Sequence, residues 1–160
     1  MSQFRPSPLF RLANRFVVSL VRLGIPMGMG NTRMILLTVA GRRSGVERTT
    51  PVSVAPFGEG WLLVAVYGVC DWSLNLEAAG RATITGSQKS TPVSAKRIGP
   101  SEAGPILRDA MLGAPAMVRR MTAPYFTAEA ESSDSAWERE SIDHPVFLLT
   151  SQLPASPTAQ

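Results

Sequence analysis

The chain has 160 residues, 44% of them apolar, which suits one packed domain and is too short for two of ordinary size. Its formal charge of +4 is uneven: residues 1–50 hold eight arginines and one acid, Glu47, so this third carries +7 and indicates an anionic partner, whether nucleic acid, a lipid surface or a phosphorylated small molecule. A single cysteine, Cys70, excludes an internal disulfide, and with a single histidine, His144, too few ligands remain for us to expect a metal site.

The first predicted element is an amphipathic helix in "LFRLANRFVVSLVRLGIP", which ends at Gly24 and Pro26. At helical pitch its arginines share one side and its apolar residues the other. It is too short and too charged to span a bilayer. We therefore expect a lid on the domain or on a partner chain, with docking on a membrane surface as the alternative. Residues 1–30 are assigned to this helix and its loop.

Residues 31–150 are predicted to form the main domain, because they contain six runs of strand-forming residues. These runs are 34–40, 48–54, 61–66, 81–85, 91–98 and the closing "HPVFLLT". A short helix begins at Asp71, its predicted N-cap, and ends at Gly80. Strands and helices do not alternate as in a doubly wound fold. We predict a mainly β, α+β fold: a split antiparallel β-barrel of about six strands with short helices between strands.

The later part of the chain holds the less regular segments. "PSEAGPILRDAMLGAPAMVRRMTAPYF" is predicted to be helical in pieces, broken at Pro105, Pro115 and Pro124. Residues 128–143 carry six acids and one arginine, which predicts an exposed or mobile connection. Residues 151–160 are predicted to be a disordered tail.

The stretch "GRRSGVERTTPV" places three arginines directly after an apolar strand. Its glycine-bracketed turn can expose N–H groups as an anion-binding concavity, with Arg42 and Arg43 beside it and Arg48 returning on the next strand. This pattern favours a clamp for phosphate or carboxylate. The alternative is an ordinary hairpin turn with solvated arginines.

The stretch "AVYGVCDWSLNL" is the second candidate for chemistry. Gly68 follows a strand end and allows a ligand to approach the backbone closely. Trp72 either covers a flat ring system or is a half-buried aromatic of the core, and Asn75 follows one turn later.

Other chemistries have weaker support. Cys70 and His144 could form a cysteine hydrolase only with an orienting carboxylate that nothing in the sequence places beside them. A nucleic-acid binder needs basic residues interleaved with stacking aromatics or a reading helix, whereas these arginines lie on one helix face and one turn. We therefore expect no nucleic-acid partner.

Three blocks, "LLTVAGRRSGVERTTPV", "VAVYGVCDWSLNLEAAG" and "HPVFLLT", together resemble the deazaflavin (F420)-dependent nitroreductase and quinone reductase family, a branch of the split β-barrel flavin-binding superfamily. The likeness covers roughly residues 35–149 and implies an FMN-binding-like barrel. The positions that match the first pattern are Gly41, Arg42, Arg43, Ser44, Gly45, Arg48 and Pro51. Those that match the second are Asp71, Trp72, Asn75 and Leu76.

This resemblance implies coenzyme F420 as cofactor, an 8-hydroxy-5-deazaflavin whose tail carries a phosphate and several glutamates, with FMN the less expected ligand. The residues that it implies in binding are Arg42, Arg43, Ser44 and Gly45 at the tail; Arg48, Thr49, Thr50, Pro51 and Val52 along the ribityl and ring side; Ala65, Val66, Tyr67 and Gly68 along the ring; and Asp71, Trp72, Ser73 and Asn75 closing over it. An anionic tail accounts for the arginines of the turn.

The resemblance also implies a reaction, in which reduced F420 passes a hydride to an electron-poor small molecule such as an enone, quinone or nitroaromatic. Tyr67 or Tyr125, the only tyrosines, would then donate a proton or a polarising hydrogen bond. The alternative is a non-catalytic or differently loaded barrel that holds FMN, a haem-like tetrapyrrole or a fatty acid. We expect a monomer or homodimer in the cytoplasm, with contact at the inner face of the membrane if the first helix binds lipid.

Overall fold

The computed structural model describes residues 7–25, 27–28, 30–86 and 89–152, and of residues 10 and 11 the backbone only. The helices are α1 (Pro8–Arg22), α2 (Asp71–Ala79), α3 (Pro100–Leu112), α4 (Ala116–Thr122) and α5 (Asp134–Asp143), with a 3₁₀ turn at Ala123–Tyr125. The strands are β1 (Arg33–Ala40), β2 (Glu47–Phe57), β3 (Gly60–Val64), β4 (Arg81–Gly86), β5 (Lys89–Arg97) and β6 (Val146–Ser151).

The six strands form one closed antiparallel barrel in the order β1-β2-β3-β6-β5-β4, and β4 pairs back with β1. Alternate side chains point inward, so the apolar positions of each strand meet at the centre. Together with Leu76 of α2 they form the buried core, whose strand residues are Ile35, Leu37, Val39, Val52, Val54, Leu63, Ile84, Val93, Phe147 and Leu149. The predicted antiparallel barrel of about six strands is confirmed.

Strand β2 is longer than predicted and contains two prolines. Pro51 pairs with β1, whereas β3 pairs only with residues 54–57, so at Pro51 a neighbouring strand lies on one side only. At Pro56 the single neighbour is β3, because pairing with β1 ends at Val54. A sheet tolerates proline where one side of the strand is unpaired, since no ladder bond is lost there.

Strand β3 is shorter than predicted and ends at Val64 instead of residue 66. The residue opposite Ala65 on the closing segment is Pro145, whose carbonyl accepts the Ala65 N–H at 3.0 Å. Proline has no N–H to return, so the ladder stops there. Residues 65–68 are consequently a turn, closed by a bond from the Gly68 N–H to the Ala65 carbonyl at 2.9 Å.

Helix α2 begins one residue earlier than its predicted cap implies. Cys70 holds the extended N-cap conformation and Asp71 is the first helical residue, so the prediction of Asp71 as N-cap is wrong. Ser73 stabilises the cap instead: its hydroxyl oxygen accepts the Cys70 N–H at 3.1 Å and donates to the Cys70 carbonyl at 2.9 Å. The predicted end at Gly80 is confirmed, and this glycine takes the left-handed conformation with φ 62°.

Helices α3 and α5 pack together and correct two predictions. Pro105 does not break α3, which continues to Leu112. Gly104, the residue before it, lies so close to α5 that an added Cβ would stand 2.8 Å from the Glu138 nitrogen. Packing at this contact therefore outweighs the proline. The predicted breaks at Pro115 and Pro124 are confirmed, since these residues precede α4 and lie in the 3₁₀ turn.

The prediction of an exposed connection over residues 128–143 is wrong for Asp134–Asp143, which form helix α5; only residues 128–133 are an irregular connection. Trp137 and Glu140 of this helix are buried. The Glu140 carboxylate accepts bonds from the Thr127 N–H and hydroxyl and from the Ala128 N–H, at 2.6 to 3.2 Å. A buried carboxylate with these donors is stabilised inside the protein, whereas composition alone predicted exposure.

Helix α1 lies against the outside of the barrel, beside β1, β2 and β4. Its last residue is Arg22, two residues before the predicted end at Gly24, which has φ 78°; Pro26 lies outside the described residues. Val21 is buried, but Leu9, Leu12, Phe16 and Leu23 are all more than 60% exposed. Within the described ranges, no helix combines the length and apolar character needed to cross a bilayer.

The last strand reaches one residue into the predicted tail, because β6 includes Ser151 and the Gln152 N–H donates to the Pro92 carbonyl at 3.0 Å. Residues 153–160 of that prediction lie outside the described part of the chain.

Candidate active site

The basic hairpin tip between β1 and β2, residues 41–46, is closed by its own backbone. The Gly41 N–H donates to the Val46 carbonyl at 2.9 Å and the Gly45 N–H to the Gly41 carbonyl at 2.7 Å. Gly45 has φ 68°, a conformation that favours glycine. The Ser44 hydroxyl accepts the Val46 N–H at 3.3 Å. The tip is thus a defined turn and not a loose loop.

Arg42 connects this tip to the start of α2. Its backbone N–H and its Nη1 both donate to Asn75 Oδ1, at 3.1 and 2.8 Å, and Nη1 also lies 3.2 Å from Asp71 Oδ1. Asn75 is only 4% exposed, so its side-chain oxygen depends on these donors. Two blocks that are distant in sequence are therefore held together at one end of the barrel.

Arg43 and Arg48 are exposed at the same tip. Neither makes an ion pair or side-chain hydrogen bond to a residue in the described part of the chain. A Cβ added to Gly41 would stand 3.0 Å from Ser44 Oγ and 4.0 Å from Arg48 Nε. The Val46 carbonyl oxygen would stand 3.1 Å from the same Cβ, so the turn is too tight there for a side chain.

Residues 48–52, which sequence assigned to one cofactor surface, divide between two faces of β2. Arg48 pairs with the inward-facing Val39, and Val52 lies in the barrel core at 7% exposure. Thr49 faces the other way and its hydroxyl lies 2.9 Å from that of Thr38. Because alternate residues of a strand point to opposite faces, Thr50 goes with Arg48 and Pro51 with Thr49.

In the turn after β3, Val66 and Tyr67 are half-buried. Both backbone groups of the buried Ala65 have partners within the protein. Its N–H donates to the Pro145 carbonyl. Its carbonyl accepts the Gly68 N–H and lies 3.1 Å from His144 Nδ1. Gly68 has φ 84°, which favours glycine at this turn. The turn is therefore tightly held.

At the start of α2, the predicted residues differ in what they can reach. Ser73 is 1% exposed and its hydroxyl is engaged with Cys70, so it belongs to the helix cap. Trp72 is half-buried and packs against the core residue Phe147, with ring centroids 6.2 Å apart. Asp71 is exposed and pairs with Arg42.

The two candidate proton donors, Tyr67 and Tyr125, meet edge to face with ring centroids 5.1 Å apart and an interplanar angle of 80°. Burial raises the pKa of the Tyr67 phenol, and the neighbouring Tyr125 raises it further. Both effects disfavour the tyrosinate form of Tyr67. The fold joins two residues that the sequence could only name separately.

His144 and Glu140 are the polar groups beside the tyrosines that sequence reasoning did not assign to the site. His144 Nε2 lies 2.9 Å from the Tyr125 carbonyl and 3.4 Å from Glu140 Oε1, and Phe126 stacks on the imidazole at 4.0 Å. The only sequence signal for His144 is that the single histidine of the chain directly precedes a proline at the start of a predicted strand.

A polar hollow of about 370 Å³ lies apart from the predicted site residues. It is lined by Thr127, Ala128 and Ser132 and by Arg139, Glu140 and Asp143 of α5. None of the predicted cofactor contacts borders it, so it contributes nothing to their assignment.

Solved structures share this fold. One, an F420-H2 dependent reductase termed FDR-A, is 17% identical over 72% of this chain and 92% of its own, with a TM-score of 0.50. Another, described as a domain-swapped dimer, is 16% identical over 89% of this chain and 99% of its own, with a TM-score of 0.51. At these identities the likeness defines the barrel class alone. A search of curated proteins gave no match.

The family itself is given by the sequence match, since the model of the F420H(2)-dependent quinone reductase family matches residues 10–123, more than half of the chain. The chain belongs to this family. It is accordingly an oxidoreductase that uses coenzyme F420 and acts on a small-molecule quinone.

Proposed function

We propose that the hairpin tip and the tyrosine pair form the cofactor and substrate ends of one active site. The observation that carries this proposal is that the arginines of the tip differ in their contacts. Arg42 is bonded to Asn75 and Asp71, whereas Arg43 and Arg48 have exposed guanidinium groups beside it. A rigid turn with two available cations binds an anionic tail better than a flexible turn would, because binding then orders fewer residues of the protein.

The donor set at the tip fits the acidic tail of F420. Guanidinium groups of Arg43 and Arg48, the Ser44 hydroxyl and turn N–H groups are all donors that phosphate and carboxylate accept. Ser44 Oγ and Arg48 Nε both lie near Gly41, at 3.0 and 4.0 Å from where its Cβ would stand. When bound, reduced F420 supplies a hydride for the acceptor.

The substrate end lies at Tyr67 and Tyr125. Tyr67 is protonated at neutral pH, as an ordinary tyrosine is, and can donate a hydrogen bond, or its proton, to the acceptor oxygen as that oxygen gains negative charge. The exposed edge at Tyr125 faces solvent and allows a flat quinone to approach. Tyr67 is therefore the proposed proton donor and Tyr125 its partner.

Cofactor titration tests the tip. Purified protein titrated with F420 should show saturable fluorescence change, and Arg48→Ala and Arg43→Ala should each weaken binding by about 1–3 kcal/mol if each arginine makes a charge-assisted bond. Arg33→Ala is the matched control, since Arg33 is exposed at the opposite end of β1. Equal affinity in all variants would place the tail elsewhere. A protein that purifies with the absorption of flavin or haem would instead favour a differently loaded barrel.

We also propose a location for the protein, in the cytoplasm with α1 resting on the inner face of the membrane. The exposed apolar stripe of Leu9, Leu12, Phe16 and Leu23 is bordered by the exposed cations Arg15 and Arg22, a combination that suits an anionic lipid surface. The free thiol of Cys70 suits a reducing compartment.

Flotation with vesicles that contain anionic lipid tests this location. The protein should float with them, and Leu12→Glu with Phe16→Glu should abolish flotation without loss of F420 binding. If the protein stays in solution and light scattering gives the mass of two chains, which those substitutions reduce to one, a second copy covers the stripe and the membrane proposal is wrong.

A further inference from the structure

His144 is the one histidine of the chain, and it is buried between the two segments that carry the tyrosines. Its Nδ1 lies 3.1 Å from the Ala65 carbonyl, and its Nε2 lies 2.9 Å from the Tyr125 carbonyl. Phe126 stacks on the ring with an interplanar angle of 13°, which fixes the ring plane. Each ring nitrogen thus has one backbone partner.

The chemistry of these partners makes the imidazole the hydrogen-bond donor. Both are carbonyl oxygens, which only accept, so each ring nitrogen can bond its partner through an N–H. Glu140 Oε1 lies 3.4 Å from Nε2 on the same side of the ring as the Tyr125 carbonyl.

The two carbonyls belong to the backbone that orients the tyrosines. The Ala65 carbonyl also receives the Gly68 N–H and so closes the turn that presents Tyr67. The Tyr125 carbonyl is in the second tyrosine itself, at the end of the 3₁₀ turn. A single ring therefore fixes both sides of a contact whose geometry, 5.1 Å and 80°, depends on two separate loops.

We propose that His144 is a positioning residue that holds Tyr67 and Tyr125 at the substrate end of the site. The proposal rests on the function proposed above, in which these tyrosines face the hydride acceptor. His144 itself touches no substrate and moves no proton in the reaction. Its role is to keep the two loops in register, because a small displacement of a catalytic group costs up to about 100-fold in rate.

Two conservative variants separate its two bonds. His144→Asn keeps an amide donor near the place of Nδ1, and His144→Gln keeps one near the place of Nε2. Amide hydrogen exchange should rise at Phe126 in His144→Asn, since the Tyr125 side is released, and at Gly68 in His144→Gln, since the Ala65 side is released. Ser141→Ala is the control: this buried serine of α5 donates to the Glu138 carbonyl and should leave both amides protected.

Activity then distinguishes positioning from general loss of structure. Both histidine variants should lower kcat with F420 affinity unchanged, and in a Tyr67→Phe/Tyr125→Phe background they should lower it no further, because the groups to be positioned are gone. Exchange unchanged at both amides, or an equal loss of kcat with and without the tyrosines, would overturn the proposal. Raised exchange together with wild-type kcat in the double phenylalanine variant would instead overturn the proton-donor role proposed above and leave the positioning role intact.

Discussion

Asn75 accepts two hydrogen bonds from one residue, since both the backbone N–H and the Nη1 of Arg42 point at its side-chain oxygen. This pair joins the β1–β2 hairpin tip to helix α2. Arg42, which the sequence placed in the cofactor clamp, therefore also links the hairpin tip to α2. The orientation of Arg43 and Arg48 at this tip depends on that link.

Removal of Asn75 should loosen the tip. Asn75→Ala leaves the Arg42 N–H and part of its guanidinium without a partner in a half-buried setting, which should lower the free energy of unfolding by about 1–3 kcal/mol. Chemical denaturation measures this loss. Glu77→Ala on the same helix removes an exposed pair with Arg97 and should cost under about 1 kcal/mol. Equal effects of the two substitutions would contradict a structural role for the Arg42 contact.

The Tyr67 phenol should titrate late. Its pKa is raised by burial first and by Tyr125 second, so the folded protein favours the neutral phenol. The stabilising effect is complete below the pKa of an unfolded tyrosine, about 10, and is lost as pH rises toward the higher folded value. Ultraviolet titration of tyrosinate should show this late step, and Tyr125→Phe should shift it downward. An unshifted titration midpoint in that variant would show that Tyr125 does not raise the pKa of Tyr67.

Cys70 should be unreactive in the folded protein. Burial raises the pKa of its thiol more than its hydrogen bonds with Ser73 lower it, and the thiolate is the reacting form. Native protein at pH 8 should therefore react with a disulfide reagent far more slowly than protein unfolded in urea. Rapid reaction in both states would show that the N-terminus of α2 opens readily.

Substitutions at two adjacent residues of α3 should change the stability of the protein in opposite directions. Gly104→Ala would force a Cβ to within 2.8 Å of the α5 backbone at Glu138, so overpacking should destabilise the protein by about 1–3 kcal/mol. Pro105→Ala restores a helical N–H at an exposed position and should stabilise by up to about 3 kcal/mol. Thermal unfolding measures both changes, and a destabilising Pro105→Ala would mean that the proline is needed for the fold.

Local patterns were enough to predict the barrel. A short run of apolar and branched residues defines β1, and Gly80 ends α2 because the left-handed cap suits glycine. The three sequence blocks also indicate the family, which the family model confirms. These features depend on neighbours in the chain, so the sequence displays them directly.

Long-range contacts account for what the sequence did not predict. Glu140 lies in an acid-rich segment that composition describes as exposed, and only the donors of Thr127 and Ala128 make its burial favourable. Pro105 remains in a helix because Gly104 packs on α5. The tyrosine pair and its contact with His144 arise where the turn after β3 meets the 3₁₀ turn, a meeting that no local pattern encodes.

The position of β6 in the sheet has a consequence for biosynthesis. This strand is translated after the other five, yet it lies between β3 and β5 and closes the barrel. While residues 146–151 are still within the ribosome, the nascent sheet has two open edges to which a strand of another chain can add. This domain therefore becomes protected against aggregation when residues 146–151 have left the ribosome, and not when the cofactor-binding blocks emerge.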